Sequence, residues 1–196
     1  MNKKVIVLIA VAIVVFGSFV WVKNAYNGLV TADENAQSAW SQVENVYQRR
    51  ADLIPNLVAT VKGYAAHESE TLENVVAARA KATQVTIDPA NLSVEEIAKY
   101  NEVQGELGSA LGRLLLIQEN YPDLKANQNF RDLQAQLEGT ENRIATERMK
   151  FNQAVKDYNT LIRRFPNNIF ASMFGFDKKG YFEANAGAEN APKVEF

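Results

Sequence analysis

Apolar and polar positions divide the chain into one unbroken apolar run followed by several amphipathic stretches. The run covers residues 5–22 and contains no charged side chain, while Lys3 and Lys4 precede it and Lys23 follows it. A helix of about 20 apolar residues crosses the hydrocarbon core of a bilayer, and flanking lysines that reach the headgroups make up a small deficit. The pattern therefore predicts one membrane-spanning helix behind a short basic N-terminus, residues 1–4.

A cleaved signal peptide is the alternative interpretation, because a basic start before an apolar run is also its signature. The run ends in bulky Trp21 and Val22, followed by charged Lys23, where a signal peptidase requires small residues. We therefore expect the anchor to be retained and to lead almost directly into the next helix. The excess of lysine before the anchor favours a cytoplasmic N-terminus and a domain on the non-cytoplasmic side.

Behind the anchor, apolar side chains recur at steps of three and four residues, as in a helix with one buried face. The first series runs through Ala36, Trp40, Val43, Tyr47, Ile54, Leu57, Val61 and Tyr64. Arg50 occupies the one position in this heptad-like, coiled-coil-type series that is not apolar. Pro55 lies inside the series and predicts either a kink or a break between two helical segments. Residues 69–81 continue the pattern as a second stretch, either a separate helix or the same long helix after a bend at Gly63 or His67.

Two more helices are predicted in the second half of the chain. A loop at residues 84–92 ends in a capping box formed by Ser93 and Glu96, which opens a helix that Pro122 stops. A last series, residues 129–165, predicts the longest uninterrupted helix, about 50 Å at 1.5 Å per residue.

Glycines punctuate the helix that follows the capping box. Gly105, Gly108 and Gly112 each cost up to about 1 kcal/mol relative to alanine, and we expect them to let a neighbouring helix approach closely. We find no convincing strand pattern. The predicted fold is all-α: a single transmembrane helix followed by an elongated antiparallel bundle of long helices, four-helix-bundle-like, over residues 23–182. Residues 183–196 form a polar, flexible tail.

Composition and motifs argue against several classes of function. The 21 basic and 23 acidic residues leave a net charge of only −2, so we expect no nucleic-acid partner. The chain has no cysteine, and His67, its one histidine, lies in a charged, turn-like setting typical of the surface. Phosphate-binding, dinucleotide-binding, zinc-protease and serine-hydrolase motifs are absent. We therefore predict no catalytic residue, no cofactor, no metal site and no enzymatic activity.

Arg50 is the first candidate site residue, because its position in the apolar series predicts partial burial. A buried charge is costly without a partner, so we expect a structural ion pair with Glu44, Glu119 or Glu141. Binding of a ligand at Arg50 is the less favoured alternative.

An apolar cluster near the C-terminus is the second candidate. It comprises Ile169, Phe170, Met173, Phe174 and Phe176. One interpretation is a cap over the end of the bundle. The other is a surface that docks a partner or touches the membrane, since exposed apolar patches usually meet a partner.

Several longer strings resemble the LemA family. They are residues 26–30, 39–44, 47–58, 119–126, 139–145 and 158–166. The resemblance extends from the anchor to about residue 176 and implies a bacterial membrane-anchored protein whose remaining chain is a bundle of long helices. It implies no established activity and no catalytic residues. Topology drawn for some relatives places the bulk of the protein in the cytoplasm, opposite to the charge pattern here.

Together these features favour a structural or interaction protein of the bacterial inner (plasma) membrane. We expect it to be single-pass, to form a homo-oligomer and to scaffold the envelope or the bilayer, with an envelope protein as a further partner. One alternative is an adaptor or regulator of a membrane protease or sensor that presents the tail ending in Val194, Glu195 and Phe196. A less favoured alternative is an enzyme or ligand-binding domain with a polar pocket around Arg50.

Overall fold

The computed structural model describes residues 2–183, and within that range it confirms an all-α fold with no strand. The helices are α1 (Lys3–Tyr64), α2 (Ser69–Gln84), α3 (Val94–Leu116), α4 (Pro122–Ala126), α5 (Gln128–Arg163) and α6 (Asn167–Phe174), with a 3-10 turn at Ile117–Asn120. The predicted tail lies outside the described residues, apart from Glu183.

The predicted membrane anchor and the first bundle helix are one helix. α1 runs unbroken for 62 residues, whereas α5 has 36, so the prediction that the last series forms the longest helix is wrong. No proline separates residue 22 from Leu29, the first buried residue, and although Asn27-Gly28 is a turn-type dipeptide, the helix continues through it. The backbone hydrogen bonds therefore continue from the apolar run into the bundle.

Pro55 lies inside α1 without ending it, so the predicted alternative of two separate segments is wrong. Proline has no N–H to bond the carbonyl four residues earlier, here that of Ala51. Arg79 of α2 fills the gap, because its Nε donates a hydrogen bond of 2.8 Å to the Ala51 oxygen. The proline thus gives α2 an attachment point on α1.

The bundle is elongated and antiparallel. The second half of α1 packs along α5, and α2 and α3 form an antiparallel pair beside them. Three clusters follow the axis from the anchor outwards, and they include Leu29 with Tyr158 and Ile162, then Trp40 with Tyr100 and Phe151, then Val61 with Leu107 and Phe130. Because residues early in α1 meet residues late in α5, the two helices run in opposite directions.

Side chains cap the starts of α3 and α5. Ser93 Oγ accepts from the Glu96 amide at 3.2 Å, as predicted, and Asn127 Oδ1 accepts from the Phe130 amide at 2.9 Å. The other half of the predicted capping box does not form, since Glu96 Oε2 is buried without a hydrogen-bond partner in the part of the chain that the structure describes. The predicted loop is confirmed between α2 and α3.

Residues 175–183, which we call the C-terminal strap, return along the bundle after α6. Asn159 binds the strap in both directions: its Nδ2 donates to the Lys179 oxygen at 2.9 Å, and its Oδ1 accepts from the Lys179 amide at 3.0 Å. Asn152, two turns earlier on α5, makes the same pair of bonds with Phe182 at 2.8 and 2.9 Å. These two asparagines replace the partners that a strand would find in a sheet.

Two strap side chains enter the bundle. Phe182 is buried and stacks on Trp40, with ring centroids 5.9 Å apart. Lys179 is also buried, and its Nζ lies 2.9 Å from Asp33 Oδ1 of α1 and 5.0 Å from the centre of the Tyr158 ring. The strap therefore connects α1 with α5 and holds the preceding helix, α6, beside the exit of the anchor.

Gly180 marks the tightest contact of the strap. A Cβ placed there would lie 2.8 Å from both the Ser93 oxygen and the Val94 Cα, which are backbone atoms. We expect Gly180→Ala to lower the free energy of unfolding by about 1–3 kcal/mol, the usual cost of overpacking. Thermal or urea unfolding of the detergent-solubilised full chain, followed by circular dichroism, measures this loss.

Gly139→Ala is the matched control, because Gly139 is exposed within α5 and a Cβ there meets open space. Alanine should stabilise that helix by up to about 1 kcal/mol. Equal effects of the two substitutions would contradict the close contact at Gly180.

Candidate functional site

The most buried charge in the bundle is Arg50 of α1, which is 3% exposed. Its side chain extends to partners on α3 and α5. Its Nη1 is 3.2 Å from Glu141 Oε1, and its Nη2 donates to the backbone oxygen of Gln104 at 3.1 Å and to the side-chain oxygen of the same residue. The guanidinium carbon also lies 4.9 Å from the centre of the Tyr47 ring. One side chain thus links three helices.

The structure places the three candidate carboxylates differently. Glu141 faces Arg50, because α5 passes α1 at this level and the pair bridges 91 positions in the chain. Glu119 instead forms an exposed ion pair with Lys125 at 3.0 Å. Glu44 precedes Arg50 on α1 and makes no ion pair with it; burial raises the pKa of the Glu44 carboxyl. Arg50 therefore reaches a partner on another helix instead of one on its own.

The glycines of α3 do not bring a second backbone close. A Cβ at Gly108 would lie 3.8 Å from Arg50 Nη1, while at Gly105 and Gly112 it would meet open space. The expectation of a helix-approach stripe is therefore wrong for Gly105 and Gly112. What α3 accommodates at Gly108 is the planar guanidinium group.

Gln104 is the member of this group that the sequence analysis missed. Besides accepting from Arg50, it donates from Nε2 to the Ala82 oxygen at the end of α2, at 3.4 Å, so the network extends to a fourth helix. Gln104 is next to Val103 in the apolar series of α3. A polar residue at the edge of such a series is the sequence signal that could have indicated its burial.

Two tyrosines beside the network have a raised phenol pKa. Burial raises the pKa of Tyr47, and nearby Arg148 and Arg50 offset part of that rise. Burial also raises the pKa of Tyr100, with a smaller contribution from Tyr47. Both phenols are therefore neutral hydrogen-bonding groups near neutral pH, and neither is prepared to act as a base.

The clefts around Arg50 are open and shallow. One of about 270 Å³ is lined by Arg50, Arg148 and Glu141, and another of about 170 Å³ lies beyond Tyr47 and Tyr100. Across residues 2–183, no group of three or more His, Cys, Asp or Glu side chains converges as a metal site would require. His67 is exposed in the turn between α1 and α2.

The C-terminal apolar cluster is divided between two environments. Phe170 and Phe176 are half-buried, and Phe170 lies edge-on to Trp21 of α1 with ring centroids 5.2 Å apart. Ile169, Met173 and Phe174 are 51%, 68% and 47% exposed. One side of the cluster therefore packs on the bundle, while the other remains open.

Glu141→Ala tests the network of Arg50. We expect it to lower the free energy of unfolding by about 2 kcal/mol, because it leaves a buried guanidinium without its counter-charge. The loss stays below that of a fully buried pair, since the Glu141 side chain is 45% exposed and water replaces part of it. Urea unfolding of the full chain in detergent provides the measurement.

Glu138→Ala, on an exposed turn of the same helix, is the control and should change the free energy by less than about 0.5 kcal/mol. Indistinguishable losses in the two variants would remove the ion pair as a contribution to stability.

Comparison with known proteins identifies relatives that align with most of this chain. Magnetosome protein MamQ from Magnetospirillum gryphiswaldense is 29% identical over 174 residues, which cover 80% of this chain and 64% of MamQ. Magnetosome protein MamQ 2 from Paramagnetospirillum magneticum is 29% identical over 175 residues, with 81% and 64% covered. Protein LemA from Metamycoplasma hominis is 24% identical over 159 residues, with 81% and 69% covered.

This chain thus spans less than two thirds of the length of the MamQ relatives. A sequence profile of the LemA family matches residues 39–196, which is well over half of the chain and includes the second half of α1 and all later helices. The chain therefore belongs to the LemA family.

Proposed function

We propose that this protein is a non-enzymatic, membrane-anchored interaction protein that carries its helical bundle rigidly at the bacterial inner membrane, self-associates and scaffolds the envelope. The observation that carries the proposal is the continuity of α1 from the apolar run into the bundle. Membership of the LemA family, and its relationship to the MamQ proteins, supports association with a membrane.

The two halves of α1 have opposite surroundings. Every residue from 5 to 20 is exposed, and none of the most apolar window of α1 is buried within the chain. From Leu29 onwards the apolar residues of α1 are covered by α5 and α2. An apolar helix that its own chain leaves uncovered needs an apolar solvent, and a bilayer supplies one.

A continuous helix also transmits orientation. The six residues between the anchor and Leu29 are all helical, so bending there would break backbone hydrogen bonds. The bundle should therefore stay in line with the anchor helix and at a fixed distance from its end. Such an arrangement suits a protein that presents an elongated surface to partners at a defined height.

Self-association needs a surface other than the heptad-like series. That series is used within one chain, since Ala36, Trp40, Val43, Ile54 and Leu57 are all buried. Copies would instead meet through their anchors or through the charged outer faces of the bundle. A single-pass helix without a partner in its own chain is a common site of such contacts.

The mass of the extracted assembly tests self-association. We expect mass photometry or analytical ultracentrifugation of the full chain in a mild detergent to give a protein mass of two or more copies of the 21.8 kDa chain. An unrelated single-pass protein in the same micelles provides the control. A monomer at high concentration, together with no cross-linked partner in whole membranes, would rule out the scaffold.

The absence of cysteine makes the side of the membrane directly testable. We expect Ser109→Cys, on an exposed position of α3, to react with a membrane-impermeant maleimide in intact spheroplasts, because the lysines before the anchor favour a non-cytoplasmic bundle. Asn2→Cys, before the anchor, should react only after lysis. The reverse pattern would place the bundle in the cytoplasm.

A further inference from the structure

Two aromatic contacts show where α6 lies along α1. Phe170 lies edge-on to Trp21, with ring centroids 5.2 Å apart, and Phe174 lies edge-on to Tyr26 at 5.0 Å. Trp21 is the second-last residue of the apolar run, and Tyr26 is about 7.5 Å further along the helix axis. α6 therefore lies beside the last turn of the anchor and the turn that follows it, where tryptophan and tyrosine usually mark the headgroup level.

Four side chains around α6 form what we call the outer apolar surface: Phe165, Ile169, Met173 and Phe174. They are 82%, 51%, 68% and 47% exposed. The first three are spaced four residues apart, and Ile169 and Met173 therefore share one face of α6. The opposite side contributes buried Ala171 to the cluster around Leu29 and Ile162.

Exposed apolar residues elsewhere in the bundle are isolated in the sequence. Val76, Leu116 and Met149, each more than half exposed, lie on three different helices. Single residues of this kind are ordinary on a protein surface, whereas a contiguous apolar patch usually marks a contact. The outer apolar surface is thus distinct from the rest of the bundle surface.

Basic side chains flank this surface. Arg163 and Arg164 lie just before α6, Lys178 follows it in the strap, and Lys23 leaves the anchor at the same level; all four are exposed. Asp177 is the acidic residue beside them in the strap. Long basic side chains next to an apolar face can reach lipid phosphates while the apolar groups enter the acyl region.

We propose that α6 is a second membrane contact, an interfacial helix whose outer apolar surface enters the headgroup–acyl boundary of the bilayer that α1 crosses. The inference rests on the proposed membrane anchor and extends it, because a single spanning helix is free to rotate about its own axis. With α6 seated in the interface on one side of α1, the rotation and tilt of the whole bundle are fixed.

A second copy of the chain fits this surface less well than lipid does. Stable protein interfaces use about 20–30 residues a side, whereas the outer apolar surface comprises four. Lipid is already adjacent, since α6 is level with the end of the anchor. The bilayer is thus the apolar phase that this surface reaches without any movement of the bundle.

Depth-dependent quenching of a single fluorophore tests the proposal on the full chain in lipid nanodiscs. In the cysteine-free background, Met173→Cys carries the probe on α6. Met149→Cys on α5 is the matched control, because the two methionines are 68% and 66% exposed. Phe16→Cys reports on the anchor itself. The quencher is a phosphatidylcholine brominated near the headgroup end of its acyl chains, with and without added phosphatidylglycerol.

We expect quenching at position 173 to be at least about threefold stronger than at position 149, as for a side chain 5–10 Å into the interface, and to increase with the anionic lipid. Quenching at position 16 with none at 173 would overturn the role of α6 and leave the anchor intact. No quenching at position 16 would instead overturn the anchor, and the proposed function with it.

A contact between copies is distinguished in the same preparation. Discs that hold one chain should retain the quenching at position 173, because lipid is the partner. If quenching is absent from those discs and energy transfer between position-173 probes appears in discs that hold two chains, the surface belongs to a second copy and the proposal is wrong.

Discussion

The continuity of helix α1 from the apolar run into the bundle is the constraint on which the rest of the structure depends. One helix supplies both the apolar segment and the longest face of the bundle core. The later helices pack on α1 directly or through one another, so their positions depend on it. Pro55 removes one backbone hydrogen bond of α1, and the Arg79 side chain bonds the carbonyl that proline leaves free. The bundle is consequently an extension of the anchor and not a domain on a linker.

Two sets of polar contacts hold the later segments of the chain in place around α1. Arg50 ties the middle of α1 to α3 and α5 through Gln104 and Glu141. Nearer the anchor, Asn152 and Asn159 hold the strap, and the strap in turn holds α6 against Trp21 and Tyr26. Each set of contacts pairs buried polar groups from distant segments, although Arg50 Nε is buried without a hydrogen-bond partner among the described residues. Such pairing is a requirement of burial and not a sign of catalysis.

Much of the fold was predictable because it follows from local pattern. The spacing of apolar residues predicted the helices, and Ser93 and the loop before it predicted where α3 begins. Errors arose where a local signal was overruled by a distant partner. Pro55 predicts a kink or a break, but Arg79 of another helix bonds the carbonyl that proline leaves free. Gly105 and Gly112 predict the close approach of another helix, but a Cβ at either position meets open space.

The sequence by itself determined the all-helical class, the apolar N-terminal segment and the burial of a charge at position 50, since these follow from composition and periodicity within one segment. Tertiary structure alone selected Glu141 from three candidate carboxylates, placed Gly180 of the strap against the start of α3 and divided the C-terminal apolar cluster into a half-buried and an open side. Those outcomes depend on which helices lie side by side, and periodicity within one helix carries no information about its neighbours.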